Sequence, residues 1–164
     1  MTVRVDLDWD GPYKLSQLAS ISDVSKDYGI YQIYGHHPIY GPNVLLYVGL
    51  ASRQTFGTRI AQEGWEQNKD SKNVEVYVGR LCGASTPSDD EWDRLIKLTE
   101  KLLIFSHTPA ANQSNIGSIP FAALEELHIF NWGNHRSLSA EVSGLRWCTD
   151  TELRHFIYVG EESL

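Results

Sequence analysis

Two stretches rich in β-branched and aromatic residues, Tyr28 to Tyr34 and Val44 to Gly49, are separated only by the Gly, Pro and Asn punctuation of Gly35 to Asn43. Runs of this kind read as strands and punctuation of this kind as a loop, so a β-hairpin is predicted here. The hairpin constrains the chain more than any other feature, because it sets Tyr31 and Tyr47 on neighbouring strands. Thr55 is placed to cap a helix running to about Glu66, Asn68 to Asn73 reads as a polar turn, and Val74 to Leu81 as a third strand. Ser88-Asp89-Asp90-Glu91 has the pattern of a capping box. After it Trp92, Leu95, Ile96, Thr99, Leu102 and Leu103 recur at helical spacing, which predicts an amphipathic helix from about Asp89 to Phe105, ending before Thr108-Pro109. Pro120 to Phe130 is open between a helix and a helix followed by a strand through Ile129 and Phe130, and His155 to Val159 reads as a final strand. The expected class is α+β, with a small three-stranded antiparallel sheet flanked by helices and additional C-terminal elements.

Composition narrows the function classes. A chain of 164 residues without repeats fits one domain, 1–164. The N-terminus carries Arg4, Asp6, Asp8 and Asp10 where a secretory signal would be apolar. No apolar stretch approaches the roughly 18 residues of a membrane span, so a cytoplasmic protein with no membrane partner is expected. Cys82 and Cys148 are too few for a disulfide scaffold and lie outside metal-ligand spacing, which reads as reduced structural thiols. A net charge of −7 argues against non-specific coating of nucleic acid. It leaves room for a local cleft lined by Arg53, Arg59, Lys72 and Arg80.

The order Gly29-Ile30-Tyr31, Tyr47-Val48-Gly49, Arg59, Glu100-x-x-Leu103-Ile104 and Pro109-x-x-Asn112 resembles the GIY-YIG nuclease superfamily over a core of about 28–115, leaving 116–164 as an extension. The resemblance implies an endonuclease that hydrolyses DNA phosphodiester bonds with one divalent ion, Mg²⁺ or Mn²⁺, held by Glu100. A homodimer, or a protein partner supplying DNA recognition, would complete such an enzyme. The alternative is a catalytically silent or partner-dependent module that binds nucleic acid or protein through the same cleft.

Hydrolysis of a phosphodiester needs an activated water, neutralisation of the phosphate and help for the departing oxygen. Tyr31 is the candidate general base or its relay. An ordinary tyrosine titrates near 10, so this role requires its pKa to be lowered by nearby cations. Tyr47 would position water or phosphate; packing on the sheet is the plain reading of both tyrosines. Arg59 would bind the scissile phosphate with its fork of donors, against the plain reading of an i,i+4 surface pair with Glu63. Glu100 would ligate the metal, since hard cations prefer carboxylate and water oxygens; its plain reading is a solvated helix charge. Asn112 would hold Glu100 or a loop backbone in place, or is simply a turn residue. Arg53 is a second candidate for the phosphate.

The chain also departs from the family pattern. The interval Gln32 to Leu46 is longer than usual, with the excess in Gly35-His36-His37-Pro38, which reads as a loop insertion. Leu50 and Glu63 stand where many members carry a helper lysine or histidine, leaving Arg53, His36 or His37 as substitutes. A zinc cluster is not expected, because adjacent His36 and His37 cannot readily aim both rings at one ion. No G-x-S-x-G elbow or phosphate-binding glycine loop is present. Trp132, Gly133, Asn134 and Arg136 read as a surface turn with a capacity for base stacking, and Glu125 and Glu126 as a solvated helix face.

Overall fold

The computed structural model describes residues 3–67, 71–83, 87–117 and 127–147. The N-terminal sequence Val3-Arg4-Val5-Asp6-Leu7-Asp8-Trp9-Asp10 alternates apolar and polar residues, and it forms the long strand β1, Val3–Lys14. Val5, Leu7 and Trp9 are buried while Arg4, Asp8 and Asp10 face outward, the period of two that a half-buried strand requires. Strands β2 (Gly29–His37) and β3 (Gly41–Ala51) form the hairpin, followed by β4 (Glu75–Cys82), β5 (Leu127–Gly133) and β6 (Glu141–Ser143).

These strands make one six-stranded sheet in the order β3-β2-β4-β1-β5-β6. The expected three-stranded antiparallel sheet is therefore corrected. Strands β3, β2 and β4 do pair antiparallel, but β4 continues into β1, and β1 pairs in parallel with β5. The sheet is mixed because the chain returns to the far side of β1 after the second helix. The Gly35-His36-His37-Pro38 excess is not a loop insertion either. Pairing continues to His37 opposite Gly41, with register shifts after Ile33 and Gly35, so the extra residues lengthen and kink the hairpin.

Helix α1 is short, Phe56–Gln62, and Thr55 caps it by accepting a hydrogen bond from the Thr58 backbone N–H at 3.3 Å. Helix α2 spans Asp89–His107, two residues beyond the expected end. Ser88 caps it, acidic residues occupy its first turn, and Thr108 closes it in the left-handed conformation with its N–H donated to the Ile104 carbonyl. No helix among the described residues is long and apolar enough to cross a membrane. Residues 118–126, 148–164, and with them Glu125, Glu126, Cys148 and the expected strand at His155 to Val159, lie outside the described residues. Within the ambiguous segment the structure describes strand from Leu127 onward. Cys82 is a free, exposed thiol.

The sheet buries both faces. One is covered by α2, with Ile30, Val48, Leu7 and Trp9 against Ile96, Leu102 and Leu103. The other is covered by the 3-10 helix Leu15–Ile21 and by α1, with Tyr31, Ile33 and Val78 against Leu18, Phe56 and Ile60. Alternation along β2 thus assigns Tyr31 to the α1 face and Ile30 to the α2 face.

Candidate active site

The tyrosines lie against each other on the α1 face, ring centroids 6.1 Å apart. Two glycines make that arrangement possible. Gly29 has φ +142°, a conformation closed to residues with a Cβ, and a Cβ there would run into the Gly79 carbonyl of β4. Gly49 is constrained by space: a Cβ would collide with the Tyr31 ring and hydroxyl and come within 2.6 Å of the Tyr47 ring. The glycines of the two signature triplets thus let β2 approach β4 and let both rings lie over β3.

Helix α1 is fixed to the start of β2 by the Phe56 N–H, which donates to the Asp27 carbonyl at 2.8 Å. Its last turn then carries Arg59 and its C-cap Glu63 toward the tyrosines. The Tyr31 hydroxyl donates to Glu63 Oε1 at 2.6 Å, Arg59 Nη2 lies 3.3 Å from the same oxygen, and Trp65 Nε1 donates to Oε2 at 2.9 Å. The Trp65 ring stands 5.8 Å from that of Tyr47. Arg59 Nε is buried with no hydrogen-bond partner among the described residues, while the side chain as a whole is 37% exposed.

Glu100 arrives from α2. Burial raises its carboxyl to about 7, with Arg59 and Lys101 opposing the shift and Glu63 adding to it. Among the described residues it makes no hydrogen bond or ion pair. Its charge reaches Tyr47, whose pKa is raised by burial, Glu63 and Glu100 and opposed by Arg59. Tyr31 is raised well above the ordinary tyrosine range, first by burial and then by Glu63. This is the reverse of the lowering that a tyrosine base requires, because the nearest group to the hydroxyl is a carboxylate and not a cation. Arg59 stays protonated: burial works against its charge, and Tyr31, Glu63 and Tyr47 outweigh it.

Asn112 holds a backbone. Its Oδ1 accepts from the Val48 N–H and its Nδ2 donates to the Val48 carbonyl, both at 3.0 Å. The preceding residues continue the contact, with the Ala110 and Ala111 N–H groups donating to the Leu45 and Leu46 carbonyls.

The structure brings together Tyr31, Tyr47, Arg59 and Glu100, with Asn112 behind them. Arg53 is elsewhere: it lines a 570 Å³ recess with Tyr28, Trp92 and Asp89, and its charge acts on Asp93 at the acidic start of α2. Arg80 is spent on buried Asp27, 2.7 Å away, and Arg53 on the acidic start of α2, so these two do not join Arg59 in the basic cleft for which the charge left room. His37 accepts the Ile39 and Tyr40 N–H groups at the hairpin turn, and His36 lines a separate recess beside Arg136. Trp132 is half exposed but donates to Asp6, and Arg136 lies over the rings of Tyr34 and Tyr77.

Sequence reasoning missed Glu63. It registered only as a surface partner of Arg59 and as a helper position lacking its base. The usable signal was a carboxylate four residues after the arginine and two before Trp65, on the helix directly following the tyrosine hairpin. Comparisons with protein-family models, characterised proteins and solved structures return no match for this chain.

Proposed function

We propose that this chain is a metal-dependent endonuclease of the GIY-YIG type that hydrolyses phosphodiester bonds in DNA. What carries the reading is the convergence of Tyr31, Tyr47, Arg59 and Glu100, from four different elements, at one end of the sheet. Phosphoryl transfer rests mainly on positioning and charge neutralisation, and these side chains match those demands. Arg59 carries a permanent charge on a side chain 37% exposed, which suits it to meet a phosphate oxygen.

The residues fit a divalent ion. Glu100 is partly desolvated and has no hydrogen-bond partner among the described residues, a state that a hard cation would relieve. Among the described residues no three His, Cys, Asp or Glu surround one point. Glu100 would therefore be the protein carboxylate that holds the ion, with water and substrate oxygens completing its shell. The ion supplies charge stabilisation at the scissile phosphate when bound. Tyr47 would orient the substrate through its hydroxyl, and the Tyr31-Glu63 pair would manage the water proton.

The test is cleavage of supercoiled, linear and branched DNA with Mg²⁺ or Mn²⁺ at low salt. Metal-dependent nicking that both Glu100→Ala and Arg59→Ala remove is the expected result. Binding without cleavage on every substrate would overturn the enzyme reading. It would leave the silent binding module, which the net charge of −7 and the carboxylate in the helper position favour.

A further inference from the structure

We propose that Glu63, not Tyr31, takes the proton from the attacking water, and that Tyr31 serves to position it; this rests on the nuclease reading above.

Tyr31 is poorly made for a base. It is 0% exposed, and its one hydroxyl proton is donated to Glu63 Oε1. A neutral phenol committed as a donor to a carboxylate gains little by accepting a further proton. Glu63 has the opposite properties. Its side chain is 14% exposed and lines a 390 Å³ cleft with Tyr47, Trp65 and Asn112. Hydrogen bonds from Tyr31 and Trp65 and the ion pair with Arg59 fix the carboxylate. A carboxylate offers about four lone-pair positions, so about two remain for a water in the cleft. Anchoring without saturation is what a general base needs. The charged and titratable groups around it are Tyr31 on β2, Tyr47 on β3, Arg59 on its own helix and Glu100 on α2.

The step balances. A water O–H bond breaks as its proton moves to Glu63, the water oxygen forms a bond to phosphorus, and the ester P–O bond breaks. The departing oxygen leaves with the bonding pair and is protonated by solvent, to which Glu63 then returns its proton. The products are a phosphomonoester and an alcohol.

Single-turnover nicking by Glu63→Gln, Glu63→His and Tyr31→Phe, with DNA affinity and melting temperature measured alongside, tests the assignment. Glu63→Gln should cut about 10²- to 10⁴-fold more slowly with binding intact. Glu63→His should recover much of that loss, and Tyr31→Phe should fall by less than about tenfold. A purely structural Glu63 predicts the reverse order, since Gln keeps an acceptor oxygen for Tyr31 and His is the poorer isostere. Glu63→Gln within about threefold of wild type would overturn the proposal, as would Tyr31→Phe losing as much as Glu63→Gln. If Glu63→Gln fails to fold, the comparison of Glu63→His with Tyr31→Phe decides. A wild type that cleaves nothing sinks the nuclease reading and this inference together; a cleaving wild type with an active Glu63→Gln sinks this inference alone.

Discussion

Two carboxylates share one neighbourhood and live under opposite conditions. Glu63, at the end of α1, is met by a phenol, a guanidinium and an indole. Glu100, in the middle of α2, is also partly buried and is met by no hydrogen-bond donor among the described residues. The first is held in place by its neighbours, whereas burial raises the carboxyl of the second to about 7. Identical chemistry thus divides into an anchored carboxylate and an unanchored one, and the division is set by which helix presents each group.

The contrast is broken most severely by removing the unsatisfied member. Glu100→Ala should lower cleavage by at least about 10³-fold, the scale of a lost electrostatic catalyst, without loss of thermal stability in a melting experiment. Arg59→Ala, which strips the charge lying between the two acids, should cost about 10²-fold in single-turnover rate and weaken DNA binding as well. Gly49→Ala pushes a methyl group into the tyrosine pair and should destabilise the fold by about 1–3 kcal/mol in denaturant titration.

A subtler test sharpens the contrast through pH. The folded-state pKa of Glu100, about 7, lies above the ordinary 4.5. Folding therefore takes up a proton between those values, and wild type loses stability as pH rises from about 4.5 to 7. Glu100→Gln escapes that loss, so at pH 8 it should be more stable than wild type by roughly 3 kcal/mol, with the gap closing below pH 4.5. Added Mn²⁺ or Mg²⁺ at about a hundred times its dissociation constant should stabilise wild type by about 2.7 kcal/mol and leave Glu100→Gln unmoved. The smallest effect belongs to Asn112→Ala, which removes two hydrogen bonds from Val48 and should cost about 1–2 kcal/mol with a modest fall in rate.

Legibility from the sequence followed the local signals. The β2-β3 hairpin, β4 and both helices carry Gly, Pro, Asn, Thr55 or Ser88 at their boundaries, and those elements lie close to the expected positions. The other half of the sheet was hidden in plain alternation. In β1 the aspartates that argued against a signal peptide are the outward residues of a strand whose inward residues are Val5, Leu7 and Trp9. Its pairing partner in parallel, β5, lies more than a hundred positions away in sequence, a relation that no local pattern reports. The site divides in the same manner. Spacing and resemblance named Tyr31, Tyr47, Arg59 and Glu100, but Arg53 follows a left-handed turn toward the acidic start of α2. Glu63 acquires meaning only once α1 is docked against β2.

Strand β3, which carries Tyr47, is the outermost strand on its side of the sheet. An open strand beside the candidate site invites a second copy of the same chain to add itself and cover it. The segment from Ala110 to Asn112 forestalls this by occupying the polar groups of Leu45, Leu46 and Val48 that such a copy would seek. The edge that carries Tyr47 is thereby closed to pairing by a further strand, and the shape of the candidate site is left to its side chains.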